Sequence, residues 1–232
     1  MIVYDGVDIK QIANVKIEDI RISPIEYSPI TRSRPVTGGS DFIRMKDGTR
    51  TVAVTFALLE DNKVQRQRDL MSISEWAKTD QEYKLEVPTC PGMYLTAVCT
   101  VKPEPSTRQW WENKLLIVWT CFNNPYWTDS EEKSVSCGTA FRVRGDAPPL
   151  MQIVRTLSST ASNQTYSNGT ESMTFSSIPS GNMVIDLNRQ TAAVGNSSIM
   201  GNYAVTSRFL IPRTGSQTIS GTGTVKYRER WQ

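Results

Sequence analysis

Apolar residues recur at helical spacing in one stretch of the chain, residues 62–79. Their separations of three, four and seven positions predict an amphipathic helix with an apolar stripe of Val64, Leu70, Met71, Ile73, Trp76 and Ala77. Charged side chains, including Asp69, fill the opposite face. Asp61 or Asn62 is the predicted N-cap, because either side chain can accept a hydrogen bond from a free amide of the first turn. An apolar stripe must be buried against another element, so we expect the helix to pack on a sheet whose strands come from the segments before and after it.

The segments on either side of this helix alternate between apolar and polar residues. This period of two predicts half-buried strands at 2–9 around the turn pair Asp5-Gly6, and at 15–22, 51–59, 83–87 and 93–101. The segment 110–122 differs, because positions 115–119 are all apolar. Consecutive apolar residues of this kind predict a strand that is buried on both faces.

A polar segment that follows the first long strand is too long for a hairpin loop. Three prolines and the pair Gly38-Gly39 interrupt any strand ladder there, and basic residues follow it. A connection of this length in a compact domain is typically functional, a projecting arm or disordered. These alternatives stay open for residues 23–50; if the segment is a projecting arm, it suits docking on a neighbouring copy in a symmetric assembly. The candidate interface residues are Arg32, Arg34, Phe42, Arg44 and Lys46.

The second half of the chain has no helical period. Short alternating segments separated by turn residues predict strands at 140–143, 151–157, 172–175, 183–186, 191–194, 203–211 and 222–227. Seven short strands at nearly regular spacing are typical of an antiparallel β-sandwich. Charge shifts at the same place, with 17 Lys and Arg against 19 Asp and Glu over 1–136, and 9 against 4 over 137–232. We therefore predict two domains, 1–136 and 137–232.

The residue types of most enzyme sites are missing. The chain has no histidine, which excludes Ser-His-Asp and Cys-His nucleophile arrangements and most zinc sites. Phosphate-binding, dinucleotide-binding and calcium-binding motifs are absent as well. Acid pairs that meet only in the fold leave no sequence signal, but the second half holds few carboxylates. The prediction is a protein that is not an enzyme, with no catalytic, cofactor-binding or metal-binding residue.

Tryptophans, cysteines and apolar runs add further expectations. Trp110 and Trp111 either stack on bases or sugars or, as is more common, pack into a core or an interface. The four cysteines are expected as free buried thiols, with a Cys90–Cys99 or Cys99–Cys121 disulfide as the alternative. The longest apolar run is too short to span a membrane, and the first residues lack a secretion signal.

The order of several short motifs along the chain resembles the distal tail proteins of siphophages. The motifs are Tyr4-Asp-Gly6, Gly39-Ser-Asp41-Phe42, the strand from Arg50 to Phe56, Lys84-Leu85, Pro91-Gly92-Met93-Tyr94, the strand end from Cys121 to Tyr126, Gly145 with Pro148-Pro149, the hairpin at Met183 and the terminal segment from Tyr227 to Trp231. The resemblance lies in the order and spacing of these motifs, and it spans nearly the whole chain.

This resemblance implies a mainly β protein with a particular organisation. Its first domain would be a β-barrel or sandwich with one α-helix and a projecting arm, and its second a galectin-like antiparallel β-sandwich. Family members form homohexameric rings at the distal end of the phage tail, within the virion, after assembly in the bacterial cytoplasm. The implied partners are the tail tube protein, the tape measure protein, tail-tip or tail-associated lysin proteins and receptor-binding proteins, with DNA passing through the ring.

A different class of function remains open on the sequence. The predicted sandwich and the available aromatic residues also suit a carbohydrate-binding module that contributes to adhesion on the host surface. In distal tail proteins, such binding is carried by insertions in the second domain, and this chain is short there.

Overall fold

The alternation of apolar and polar residues predicts a protein built mainly from strands, and the structure confirms it. The structure, a computed structural model, describes residues 1–33, 40–102 and 114–232. Contacts within the chain divide it into two units, Met1–Trp127 with Gln232, and Thr128–Trp231. The charge shift places the boundary after residue 136, whereas the second unit already includes Lys133–Ser136, because that segment pairs with the last strand of the chain.

The first unit combines antiparallel strands with two helices. Its elements are β1 (Val3–Tyr4), β2 (Val7–Asp8), α1 (Ile9–Ile12), β3 (Val15–Ile22), β4 (Tyr27–Ser33), β5 (Ser40–Asp47), β6 (Arg50–Leu58), α2 (Lys63–Trp76), β7 (Tyr83–Glu86), β8 (Met93–Val101) and β9 (Lys114–Cys121). Seven strands pair in the order β2-β1-β7-β8-β9-β6-β3. The strand β10 (Trp127–Asp129) begins at the last residue before the division.

Helix α2 covers the aromatic centre of this sheet, as its apolar stripe predicts. The ring of Trp76 lies 5.9 Å from the rings of both Tyr4 and Trp119, in edge-on geometry. The indole of Trp76 also donates to the carbonyl of Val7 at 3.1 Å. Asn62 is the N-cap, and its side chain accepts from the amides of the first turn. The sheet under the helix therefore comes from strands on both flanks.

Two details of the predicted helix face are wrong. Val64 and Met71, assigned to the apolar stripe, are exposed, whereas Asp69, assigned to the polar face, is buried. Asp69 accepts a hydrogen bond from the side chain of Gln65 at 2.9 Å, which satisfies one of its oxygens. The seven-residue spacing of Val64 and Met71 places them together, but on the outer side of the helix.

Strand β9 buries one face and not both. Leu115, Ile117, Trp119 and Cys121 are buried, but Leu116 between them is half exposed. The prediction failed because consecutive apolar residues do not show whether a second layer covers the outer face. A smaller difference occurs at the start of the chain, where Ile9 belongs to α1 and not to a strand, since the Asp8 side chain caps that helix.

The second unit is an antiparallel arrangement around one apolar core. Its elements are β11 (Lys133–Ser136), β12 (Ala140–Val143), β13 (Ala147–Leu157), β14 (Ala161–Ser167), β15 (Ser172–Ile178), β16 (Gly181–Asp186), β17 (Thr191–Val194), β18 (Ser197–Ser198), a 3-10 turn (Met200–Asn202), β19 (Gly215–Thr218) and β20 (Thr224–Trp231). One sheet has the order β18-β17-β16-β13-β20-β11. The core also receives side chains from two smaller sheets, β12-β19 and β14-β15.

The segment 203–211 was predicted as a strand but contains no strand longer than a single bridge. Tyr203 pairs with Phe175, and the chain then turns at residues 204–207. Side-chain contacts, not a ladder of backbone hydrogen bonds, fix this segment. The ring of Tyr203 stacks on Phe209 at 4.9 Å, and the Ser207 hydroxyl accepts a hydrogen bond from the amide of Thr174. Tyr203 contacts Phe175 of β15, but Val205 and Ile211 are exposed, so the alternation of apolar residues here does not mark a buried face.

Candidate assembly interface

The predicted arm is a long hairpin formed by β4 and β5. The two strands pair from Tyr27 opposite Asp47 to Ser33 opposite Ser40, with one extra residue, Ile43, in a bulge. In the described part of the chain, neither strand pairs with any other strand. The expectation that prolines prevent a ladder is wrong, because each strand of a two-stranded hairpin has an unpaired edge that tolerates a residue such as Pro29.

The root of this arm hairpin is fixed tightly to the first unit. Gly48 donates its amide to the carbonyl of Glu26 at 2.7 Å, and Glu26 donates to the carbonyl of Thr49 at 2.9 Å. A Cβ at position 48 would lie 2.6 Å from the Glu26 carbonyl oxygen, so only glycine fits this close approach. The hydroxyl of Tyr126 also donates to the carboxylate of Asp47. The arm therefore leaves the unit in a defined direction.

Three large apolar side chains of the arm hairpin face water. Tyr27 is 43% exposed, Met45 50% and Ile43 57%. The register puts Tyr27, Pro29 and Met45 on one face, because residues directly opposite each other share a face and side chains alternate along each strand. An isolated two-stranded hairpin is marginally stable in water, so a face of this kind is typical of a surface that another element covers.

The candidate residues predicted from sequence lie on or near the same hairpin. Arg32 is opposite Asp41, Phe42 is opposite Thr31, and Arg44 is opposite Ile30 in the backbone register. Lys46, opposite Ser28, is exposed. Arg34 lies outside the described residues. The prediction missed Tyr27, Ile43 and Met45, although the alternation of Ile43 and Met45 with charged residues was a usable signal.

A buried cation lies next to the arm root. Arg50 is the first residue of β6, opposite Cys121 in the register, and only 5% of it is exposed. Its Nε and Nη1 atoms are buried without a hydrogen-bond partner in the part of the chain that the structure describes. Burial lowers the pKa of Arg50, and burial also raises the pKa of the neighbouring Cys121 thiol to about 12. All four cysteines are free thiols.

The second unit offers a polar cavity of about 390 Å³ between β19 and the β14–β15 turn. Asn168, Thr170, Arg213 and Gln217 line it together with small side chains, and no aromatic ring is part of this lining. Beside it, the Glu171 carboxylate accepts from the Asn168 amide and the Arg213 guanidinium, and these contacts lower the pKa of Glu171. The cavity thus lacks the stacking surface on which the carbohydrate-binding alternative depends.

The described residues contain neither a group of metal ligands nor a membrane-spanning helix. Within 1–33, 40–102 and 114–232, no three His, Cys, Asp or Glu side chains are grouped as metal ligands. Among the helices of those same ranges, none has the length and apolar character needed to cross a membrane. The Trp110-Trp111 pair falls outside the described residues, so its role stays a prediction.

Comparisons with known proteins give a fold but no close relative. No family model matches the chain, and no curated protein matches it. Among solved structures, the crystal structure of the SPP1 Dit protein covers 100% of this chain and 98% of its own, with a TM-score of 0.75 and 13% identity. The chain shares the fold of that phage protein. SPP1 Dit is described as a paradigm of the hub adsorption apparatus in phages that infect Gram-positive bacteria.

A second solved structure is less similar to this chain. The baseplate of phage P2 in its activated conformation, with Ca, matches over 97% of this chain and 93% of the other at 7% identity, with a TM-score of 0.46. The likeness to SPP1 Dit agrees with the sequence resemblance to distal tail proteins, which depended on motif order along nearly the whole chain.

Proposed function

We propose that this protein is a structural hub of a long non-contractile phage tail and not an enzyme. It forms a homohexameric ring that links the tail tube and tape measure proteins to the tail-tip or lysin and receptor-binding proteins. DNA passes through the ring without specific binding. The protein acts in the virion, at the distal end of the tail, after assembly in the host cytoplasm.

The observation that carries this proposal is the arm hairpin. Its strands pair only with each other in the described chain, its root is fixed, and one face presents Tyr27 and Met45 to water. In a closed ring each protomer uses the same two surfaces, so one arm per protomer covers one site on the next protomer. Covering the arm also protects sheet edges that otherwise recruit unrelated strands. The fold shared with SPP1 Dit supports the same interpretation.

The test is the solution mass of the purified chain by light scattering, with negative-stain images of the same fraction. We expect six-membered rings with an open centre. A variant that lacks Thr31 to Lys46 is expected to stay folded but monomeric, because the hydrogen bonds of the arm root lie outside the deletion.

The control for this deletion is its near-ultraviolet circular dichroism. The cluster of Tyr4, Trp76 and Trp119 lies in the first unit and should give an unchanged signal. Hexamers that persist in the deletion variant would refute the proposed role of the arm. A wild-type chain that stays monomeric at all concentrations, with or without other tail proteins, would refute the ring itself.

A further inference from the structure

Arg50 has a position that the proposed hub role does not by itself explain. It directly follows the arm root, where Thr49 and Thr51 are held by Glu26 and Ser23. Its side chain is almost fully buried, and its Nε and Nη1 atoms have no hydrogen-bond partner among the described residues. Arginine keeps its charge at any ordinary pH, so this is a buried, unpaired cation.

The groups that surround Arg50 do not neutralise it. The ionisable side chains that act on its charge are Tyr27, Cys90, Cys121 and Tyr126, and none of them is a carboxylic acid. The carboxylate at the root, Asp47, already accepts the hydroxyl proton of Tyr126. A buried charge without a partner is strongly unfavourable, and native structures normally supply the partner. Among the described residues, Nε and Nη1 of Arg50 therefore lack an acceptor.

We propose that Arg50 is an assembly residue whose acceptor is a carboxylate supplied by a neighbouring copy of this chain. The inference rests on the proposed function, because it requires a ring. Two exposed apolar side chains lie near Arg50: Tyr27 on the arm, and Phe122, which directly follows Cys121, the residue opposite Arg50. The apolar surface near Arg50 therefore continues onto the arm. The first unit has no acidic excess, with 16 Asp and Glu against 16 Lys and Arg over 1–127, but a neighbouring copy still carries carboxylates that can act as acceptors.

Access to the guanidinium requires a local shift. Nε and Nη1 have no accessible surface in the single chain, so an acceptor reaches them only when the Arg50 side chain or the arm root moves. The unpaired charge thus favours the assembled state, where it gains a charge-assisted hydrogen bond, over the free protomer.

The experiment compares Arg50→Met with the wild-type protein, and uses Arg68→Met on the exposed face of α2 as the matched control. Met preserves most of the side-chain length and removes the charge. We expect the thermal midpoint of the dilute protomer to stay equal or rise by about 3 °C, because an unpaired buried charge is lost. Ring formation, followed by light scattering, is expected to need at least roughly tenfold more protein. Arg50→Lys keeps the charge and should restore part of the assembly.

The outcomes separate this inference from the hub proposal. Wild-type rings together with unimpaired rings in Arg50→Met would overturn the role of Arg50 and leave the hub intact. A lower midpoint in Arg50→Met with normal ring formation would also overturn it, and would make Arg50 an internal structural residue. If the wild-type chain forms no rings under any condition, both proposals are wrong.

Discussion

Two hairpins of similar length behave in opposite ways in this protein. In the described chain the arm hairpin β4–β5 pairs only within itself, whereas the hairpin β14–β15 also forms single bridges from Ser167 to Ser220 and from Phe175 to Tyr203. In β14–β15 one face is fully buried, with Tyr166, Met173 and Phe175 in the core of the second unit. In the arm, Tyr27 and Met45 are exposed instead. A two-stranded hairpin needs a cover, which β14–β15 has inside its own unit and which, under the proposed function, a second copy provides for the arm.

Two buried charges repeat this contrast. Glu229 on β20 is 2% exposed, and it accepts from the ammonium of Lys133 and from the amide of Arg144 at 2.7 Å. Arg50 beside the arm root is as deeply buried, but two of its nitrogens are unpaired in the described chain. The second unit thus pairs Glu229 internally, whereas the described first unit leaves atoms of Arg50 and the indole Nε1 of Trp119 buried without a partner.

The largest expected effect comes from truncating the covered hairpin. Met173→Ala removes a fully buried side chain from the core of the second unit. We expect the free energy of unfolding to fall by about 2–5 kcal/mol, because the lost contacts leave a cavity. Urea denaturation followed by circular dichroism measures this change. A loss below about 1 kcal/mol would show that β14–β15 is not held by this core.

The buried and paired carboxylate of Glu229 predicts a loss of stability in acid. Burial alone raises the pKa of Glu229, but the hydrogen bonds from Lys133 and Arg144 outweigh burial and hold the pKa below its ordinary value. The folded state therefore binds this proton less readily than the unfolded state. The stabilisation is complete above the unfolded pKa of about 4.3 and disappears as the pH falls through the lower folded value.

Glu229→Gln tests this pH dependence. We expect the variant to be less stable than the wild-type protein at pH 7 by about 1–3 kcal/mol, because the Lys133 ammonium loses its acceptor. The difference should shrink as the pH is lowered below about 4, when urea midpoints are compared across the range. Glu131→Gln, at an exposed site, is the control. A difference that is constant with pH would contradict the assigned role of Glu229.

The smallest expected effect on stability is in the arm. Met45→Ala removes the same side chain as Met173→Ala, but from a surface that is half exposed. The free energy of unfolding of the protomer should change by no more than about 0.5 kcal/mol. Ring formation should nevertheless weaken, because the lost contact lies between copies. If Met45→Ala destabilises the isolated protomer as strongly as Met173→Ala does, the arm is covered by its own unit.

The sequence predicts most helices and strands that depend on the spacing of nearby apolar residues and on capping side chains. The N-cap at Asn62, the buried residues Ile73 and Trp76, and the strand Val15–Ile22 follow directly from spacing and capping rules. The loss of helical period and the change in charge predict two domains with a boundary after residue 136. Short strands such as Ala140–Val143 and Thr191–Val194 have the predicted bounds.

The remaining errors concern which surface covers which residue. Val64 and Leu116 are apolar yet exposed, and the sequence alone does not reveal that no second layer lies over them. The arm segment was predicted to contain no strand ladder, although Pro29 occupies a position that a two-stranded ladder tolerates. Arg50 was quoted only as part of a motif, because burial and missing partners are properties of the folded chain.

Hydrogen–deuterium exchange tests most directly whether the arm is covered by another copy. Amides of Tyr27–Ser33 and Ser40–Asp47 should exchange at least roughly tenfold more slowly in the ring fraction than in protein diluted to the protomer. Amides of Ala161–Ser167 and Ser172–Ile178 should exchange equally in both states, because their cover lies within the second unit. Equal exchange of the arm amides in ring and protomer would contradict the account.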